Sequence, residues 1–171
     1  MKTQMDSTRP ERTDDLLAIR AVHVACFPTD AEARLVDALR TAGQLSISIV
    51  ADIDGRIVGH AGFSPVVAAN GTVGMGLAPV AVIVEYRKQG IAAQIIQAGL
   101  EACRTAGHTW SVVLGNPKYY KRFGYQPAST YQLSDEYAGG GAFQALALIP
   151  DGIPIGSGLV RYRQEFNDCG C

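Results

Sequence analysis

Apolar residues recur along this chain first at helical spacing and then, past Gly43, at the spacing of strands. From Asp14 to Cys26, residues Leu16, Leu17, Ile19, Ala21, Val24 and Cys26 predict an amphipathic helix behind a Thr13 or Asp14 cap. Phe27-Pro28-Thr29-Asp30 breaks it. Ala31 to Ala42 predicts a second helix, with Ala31, Leu35, Ala38, Leu39 and Ala42 on one stripe and Gly43 as its stop. Leu45, Ile47 and Ile49 then alternate with Ser46, Ser48 and Val50 up to Asp52, a strand pattern. Asp54-Gly55 is a hairpin turn leading into a strand from Arg56 to Phe63. Asn70-Gly71 predicts a further tight turn before a long strand, Gly74 to Val84, so that the three strands form an antiparallel meander.

A helix from Gly90 to Ala106 and a turn at Gly107-His108 lead to a short buried strand, Trp110 to Leu114. Lying after a crossover helix, that strand is expected parallel to the one before it. Asn116 to Phe123 reads as one or two helical turns stopped by Gly124. Tyr125 onward and Phe143 to Leu148 are further strand candidates, joined by a loop that contains Gly139-Gly140-Gly141. From Pro150 the chain is rich in Gly and Pro and specifies little. No repeat and no linker divides it, so one domain is expected over 1–171, with a core at 8–148 and a C-terminal extension at 149–171.

Composition narrows the function. The chain has 171 residues, 47% hydrophobic and 18% charged, as a soluble globular protein does. A net charge of −1 provides no global positive field, so neither nucleic acid nor an anionic membrane is an expected partner. Any anion site must be local. No run approaches the ~18 apolar residues of a membrane helix, and Met1 to Asp6 lacks the apolar core of a secretory signal. Cys26, Cys103, Cys169 and Cys171 form no disulfide framework, which with the rest predicts a cytoplasmic protein. Cys169-Gly170-Cys171 has no second Cys/His pair to complete a tetrahedral site, so no metal is expected and the tail should fray.

The chemistry concentrates between Leu77 and Ala102, where an apolar strand passes through Arg87-Lys88-Gln89-Gly90-Ile91-Ala92 into a helix. The first amides of a helix lack intrahelical partners and sit at the positive end of its dipole, which makes such a start an anion site. Pro79, in the preceding strand, has no N–H to donate to a neighbour. If that strand splays from Trp110–Leu114, its freed backbone groups need another partner, and an amide-bearing ligand arm can supply it. Diphosphate on the helix start and an amide arm along the strand together describe coenzyme A. Other nucleotide motifs fail: no Gly-x4-Gly-Lys loop exists, and Gly74-Met75-Gly76 lacks a third glycine.

Arg87-x-x-Gly90-x-Ala92, preceded by Val80-Ala81-Val82, resembles the acyl-CoA signature of the GNAT N-acetyltransferase superfamily. Asn116 to Tyr125 resembles its second motif, in which a tyrosine, here Tyr120, stands four residues before a Gly-aromatic pair, Gly124-Tyr125. The resemblance runs over roughly Thr8 to Leu148, and Ala142 to Leu146 is similar to a bacterial branch known as predicted N-acetyltransferases. It implies an α/β fold with a mixed, mostly antiparallel central sheet, helices on both faces and a splay between the fourth and fifth strands. It implies cofactor contacts at Val82, Ile83 and Val84 along the pantetheine arm. Arg87, Lys88, Gln89, Gly90, Ile91, Ala92 and Ala93 would hold the diphosphate, and Asn116 and Tyr120 would lie further along the cofactor. Val84 stands where many members have proline, and Ala92 replaces the more usual second glycine; neither change removes a required amide.

The implied reaction is transfer of acetyl from acetyl-CoA to a primary amine, with Tyr120 as general acid toward the leaving sulfur and strand amides near Val82 polarising the carbonyl. A lysine-like amine is neutral in only about one part in a few thousand at pH 7, so a base or a cationic pocket is needed. His60, Glu32, Asp135 and Glu136 are the candidates, with His60 expected as a packed strand residue and the acids expected to face water. The acceptor class stays open among small molecules, peptide N-termini and protein lysines, as does a homodimer through Pro150–Cys171. An inactive acyl-CoA-binding sensor or interaction module is the alternative, and acyl transfer to a hydroxyl a smaller one.

Overall fold

The computed structural model describes residues 7–156 and 158–170; Met1–Asp6, Ser157 and Cys171, on which the leader and tail expectations partly fall, lie outside them. The chain forms two compact units, one of Met1–Phe63, Ala78–Leu100 and Gln164–Cys171, the other of Ser64–Leu77 and Glu101–Arg163.

In the first unit, β1 (Ser7–Pro10) pairs antiparallel with β2 (Ile47–Ile53), and β2 pairs antiparallel with β3 (Arg56–Ala68). Neighbouring β3 is β4 (Val73–Val82), whose end belongs to this unit. Ser48 to Ala51 of β2 are all buried, so the strand is covered on both sides. β1 has no hydrophobic period and was not legible. A charge fixes it instead: Arg9 bridges Asp15 at 2.7 Å and Asp52 at 3.0 Å. That guanidinium, opposing the effect of burial, holds the Asp15 carboxyl below the usual carboxylate range.

The helices of this unit are α1 (Leu16–Cys26), α2 (Ala31–Thr41), most of α3 (Ile91–Thr105) and α5 (Gln164–Asp168). α1 is apolar nearly all round, so its pattern cannot choose a face. It buries Ile19, Val22 and His23 and leaves Leu17 (83% exposed) and Val24 on the outside, against the predicted stripe. α2 keeps its stripe: Leu35 and Leu39 pack with Leu45, Phe166 and Cys169. The tail expected to fray is therefore anchored as far as Cys169, because α5 lays its apolar residues on α2.

In the second unit, β5 (Trp110–Leu114) runs parallel to β4, with Met75, Gly76 and Leu77 opposite Ser111, Val112 and Val113. β8 (Phe143–Ala147) pairs antiparallel with β5 and with the short β6 (Gln126–Pro127). The C-terminal extension, unspecified in sequence, supplies β9 (Gly158–Arg161), antiparallel to β3 and parallel to β7 (Leu133–Asp135). Trp110, Tyr125 and Phe143 fill this core, and Ser111 Oγ lies 2.8 Å from Tyr125 Oη. Pairing of β4 with β5 ends at Leu77–Val113, whereas β4 continues to Val82. This is the predicted splay, within a mixed α/β fold of mostly antiparallel strands.

Candidate functional site

The end of β4 sets the polarity of its backbone groups. Ile83 N–H donates to Val58 O at 2.9 Å, so Ile83 is committed to β3, and its buried side chain helps line a groove along α1 with Ala18, Val22 and Ile57. Its neighbour Val82, the last residue of the strand, directs its groups the other way by the strand's period of two. Val82 O accepts Arg87 Nε at 2.8 Å. Val84 does not extend the strand as expected; it opens a 3-10 turn, Val84–Tyr86, exposes its side chain, and its carbonyl accepts Arg87 N–H at 3.2 Å. Tyr86 N–H closes that turn on Ile83 O at 2.9 Å, which ends the ladder.

After the turn, Arg87 to Gly90 are exposed. Lys88 (φ 63°) and Gly90 (φ 81°) are both left-handed, and Gly90 O accepts Gln94 N–H at 3.1 Å as α3 begins. Among the described residues, none of the amides from Lys88 to Ala93 donates to another backbone group. Buried Ile91 fixes the first turn from below. A 15-residue helix thus presents its positive end and a set of free donors to one place, which fits a diphosphate.

In the second unit, Asn116 caps α4 (Pro117–Tyr120): its Oδ1 accepts Lys118 N–H at 3.0 Å, and Pro117 follows at a position that needs no donor. Tyr119 and Tyr120 N–H both donate to Asn116 O. A 3-10 turn, Lys121–Phe123, then stops at left-handed Gly124, as predicted. The Tyr120 ring is set among Tyr119, Phe123 and Tyr125, with centroids at 5.0, 6.2 and 6.0 Å. Its hydroxyl makes no hydrogen bond among the described residues, and burial, reinforced by Tyr119, raises its pKa. It is a protonated, unengaged acid at neutral pH. Tyr119 carries the Arg122 guanidinium 4.1 Å over its ring and serves as packing. Sequence reasoning missed Gln144, a buried amide in apolar β8 that bonds the turn before Tyr120; its isolation among apolar neighbours was the available signal.

The candidate bases separate clearly. His60 is fully buried, with Nε2 2.8 Å from Ser48 Oγ and Nδ1 2.8 Å from His23 Nε2, and burial drives its pKa well down. It is a core histidine. Asp135 and Glu136 were expected to face water but lock a loop instead: Asp135 accepts from Tyr137 and Gly139 N–H, and Glu136 accepts Tyr162 N–H. Glu32, in the first turn of α2, keeps one shielded carboxylate oxygen without a partner among the described residues. No group of three or more His, Cys, Asp or Glu is arranged to hold a metal among those residues, and none of their helices is long and apolar enough to cross a membrane.

Comparison with known proteins adds to this geometry. The model of the family described as acetyltransferase (GNAT) domain matches residues 7–128. The uncharacterized N-acetyltransferase YhbS of Escherichia coli K12 is 38% identical over 162 residues, covering 93% of this chain and 97% of that protein. The crystal structure of E. coli YhbS in complex with CoA superposes with a TM-score of 0.90 at 37% identity, over 94% of this chain and 91% of that one. A GNAT family acetyltransferase from Brucella melitensis in complex with acetyl-CoA gives a TM-score of 0.78 at 37% identity, over 94% and 97%. With the family model covering most of the chain and a relative 38% identical over nearly its whole length, the chain belongs to the GNAT acetyltransferase family.

Proposed function

We propose that this protein transfers an acetyl group from acetyl-CoA to a primary amine. The observation that carries the reading is the unpartnered row of amides from Lys88 to Ala93 at the start of α3. Similar chains from E. coli and B. melitensis, at 37% identity, hold CoA and acetyl-CoA in their crystal structures, which supports the same ligand here.

Acetyl-CoA supplies an activated thioester when bound. The amides of Gln89 to Ala93 grip its diphosphate, with Arg87 and Lys88 adding positive charge. Arg87 Nε donates to Val82 O, and an amide of the ligand's arm would compete for that carbonyl. The N–H groups of Val82 and Val84 serve the arm and the polarised carbonyl. Asn116 contacts the arm further on, and Tyr120 donates its proton to the departing sulfur.

Calorimetric titration with CoA and acetyl-CoA tests the first half, and thiol release across a panel of polyamines, aminoglycosides, amino acids and peptides tests the second. Absence of CoA binding up to millimolar concentration overturns the whole reading. Because His60, Asp135 and Glu136 are all engaged internally, a binding module without turnover is the second reading; it is favoured by tight CoA binding with no thiol release from any amine.

A further inference from the structure

We infer that Gln144 and Gly115 are positioning residues for Tyr120, forming a fixed seat on which its ring rests. The inference depends on the role given to Tyr120 above.

Gln144 is 1% exposed in a strand otherwise built of Phe143, Ala145, Leu146 and Ala147. A side-chain amide buried among apolar groups is costly unless its donors are used. They are used on the turn that follows β5. Gln144 Nε2 donates to Gly115 O at 3.2 Å and to Ala142 O at 3.2 Å, and Gly115 N–H donates to the same Ala142 O at 3.0 Å. Both backbone groups of Gly115 are therefore tied to the start of β8, one directly and one through Gln144. The β5–β8 ladder alone ends at Leu114–Phe143, so this clamp carries strand-like order one residue beyond it.

The order is placed where Tyr120 needs it. Gly115 has an ordinary backbone conformation, so its lack of a side chain is not a matter of φ. A Cβ there would overlap the Tyr120 ring, with Cδ2 at 3.0 Å and Cε2 nearer still. The next residue, Asn116, accepts the Tyr120 N–H at 3.1 Å. The backbone of Tyr120 hangs from Asn116 while its ring lies on the bare α-carbon of Gly115, so movement of Gly115 moves the phenol. Proton donation in the transition state is sensitive to displacements of about 1 Å.

The test uses the whole protein and does not require the acceptor to be known. An ultraviolet phenolate titration of the wild type minus that of Tyr120→Phe isolates the Tyr120 transition. In Gln144→Leu and in Gly115→Ala, that transition should move down toward the value of a free tyrosine, near ~10, while CoA affinity stays within about twofold. Where the amine panel yields an acceptor, both variants should lower kcat by about 10- to 100-fold with the acetyl-CoA KM little changed. Neither should lower it further in a Tyr120→Phe background. An unmoved Tyr120 transition in a folded variant, or rate losses that multiply with that of Tyr120→Phe, overturns the seat. If Tyr120→Phe itself keeps full turnover, the general-acid reading fails instead, and the phenolate titration still reports on the seat. Gly115→Ala retains the Gln144 hydrogen bonds and serves if Gln144→Leu does not fold.

Discussion

Gly90 stands at the start of α3 and Gly115 between the end of β5 and α4, and they are glycine for opposite reasons. Gly90 is left-handed at φ 81°, and nothing lies within 4 Å of where a Cβ would be. Its requirement is conformational: only a left-handed residue there turns the following amides outward. Gly115 has no such backbone need, but the Tyr120 ring fills its Cβ position. The first region is made of main chain, so most of its side chains are replaceable. The second is made of one side chain on one bare α-carbon, where a single methyl group matters.

The contrast can be broken most forcefully at Tyr120. Tyr120→Phe should lower kcat by about 10²- to 10⁴-fold with CoA affinity unchanged by calorimetry, since the proposed role of the phenol is toward the leaving group and not toward the diphosphate. Equal loss in binding would erase the distinction. Gly90→Ala should do the reverse. An alanine held left-handed costs about 1–2 kcal/mol, which appears as roughly tenfold weaker CoA binding while the Tyr120 phenolate transition stays in place.

Outside both regions, acid acts on stability through buried histidine. Burial holds His23 down to about 4 from 6.5. The unfolded chain binds the extra proton between those values, so stability is complete above about 6.5 and declines as pH falls toward about 4. Thermal melts over that range should show the decline, and His23→Gln should make it shallower while leaving the part that buried His60 contributes. The smallest expected effect lies at Lys88, left-handed at φ 63° without being glycine. Lys88→Gly should raise the Tm by about 2 °C and weaken CoA binding by no more than about threefold, because amides carry the site. A larger loss would show that the lysine charge does.

Much of the first region could be read from residues. Arg87 to Ala92 follows an apolar strand and opens a helix, and the free amides follow from helix geometry wherever that junction forms. Val84 was misplaced because strand propensity does not register the turn that Tyr86 N–H closes on Ile83 O. In the second region, Asn116, Tyr120 and Gly124 were legible as a cap, a motif tyrosine and a stop, while Gln144 was not. Its partners at Ala142 and Gly115 are brought together only by the β5–β8 pairing. The same limit hid β1, which a charge network holds, and β9, which lies in a stretch without period.

Local spacing therefore determined most helices and strands, the parallel return at Trp110–Leu114 and the helix start with its free amides, because each depends on neighbours in sequence. Which face α1 buries, which candidate bases are already engaged, and what steadies Tyr120 were decided by tertiary structure. Those depend on groups far apart in the chain, whose desolvation and hydrogen bonding are settled only when strands and helices meet.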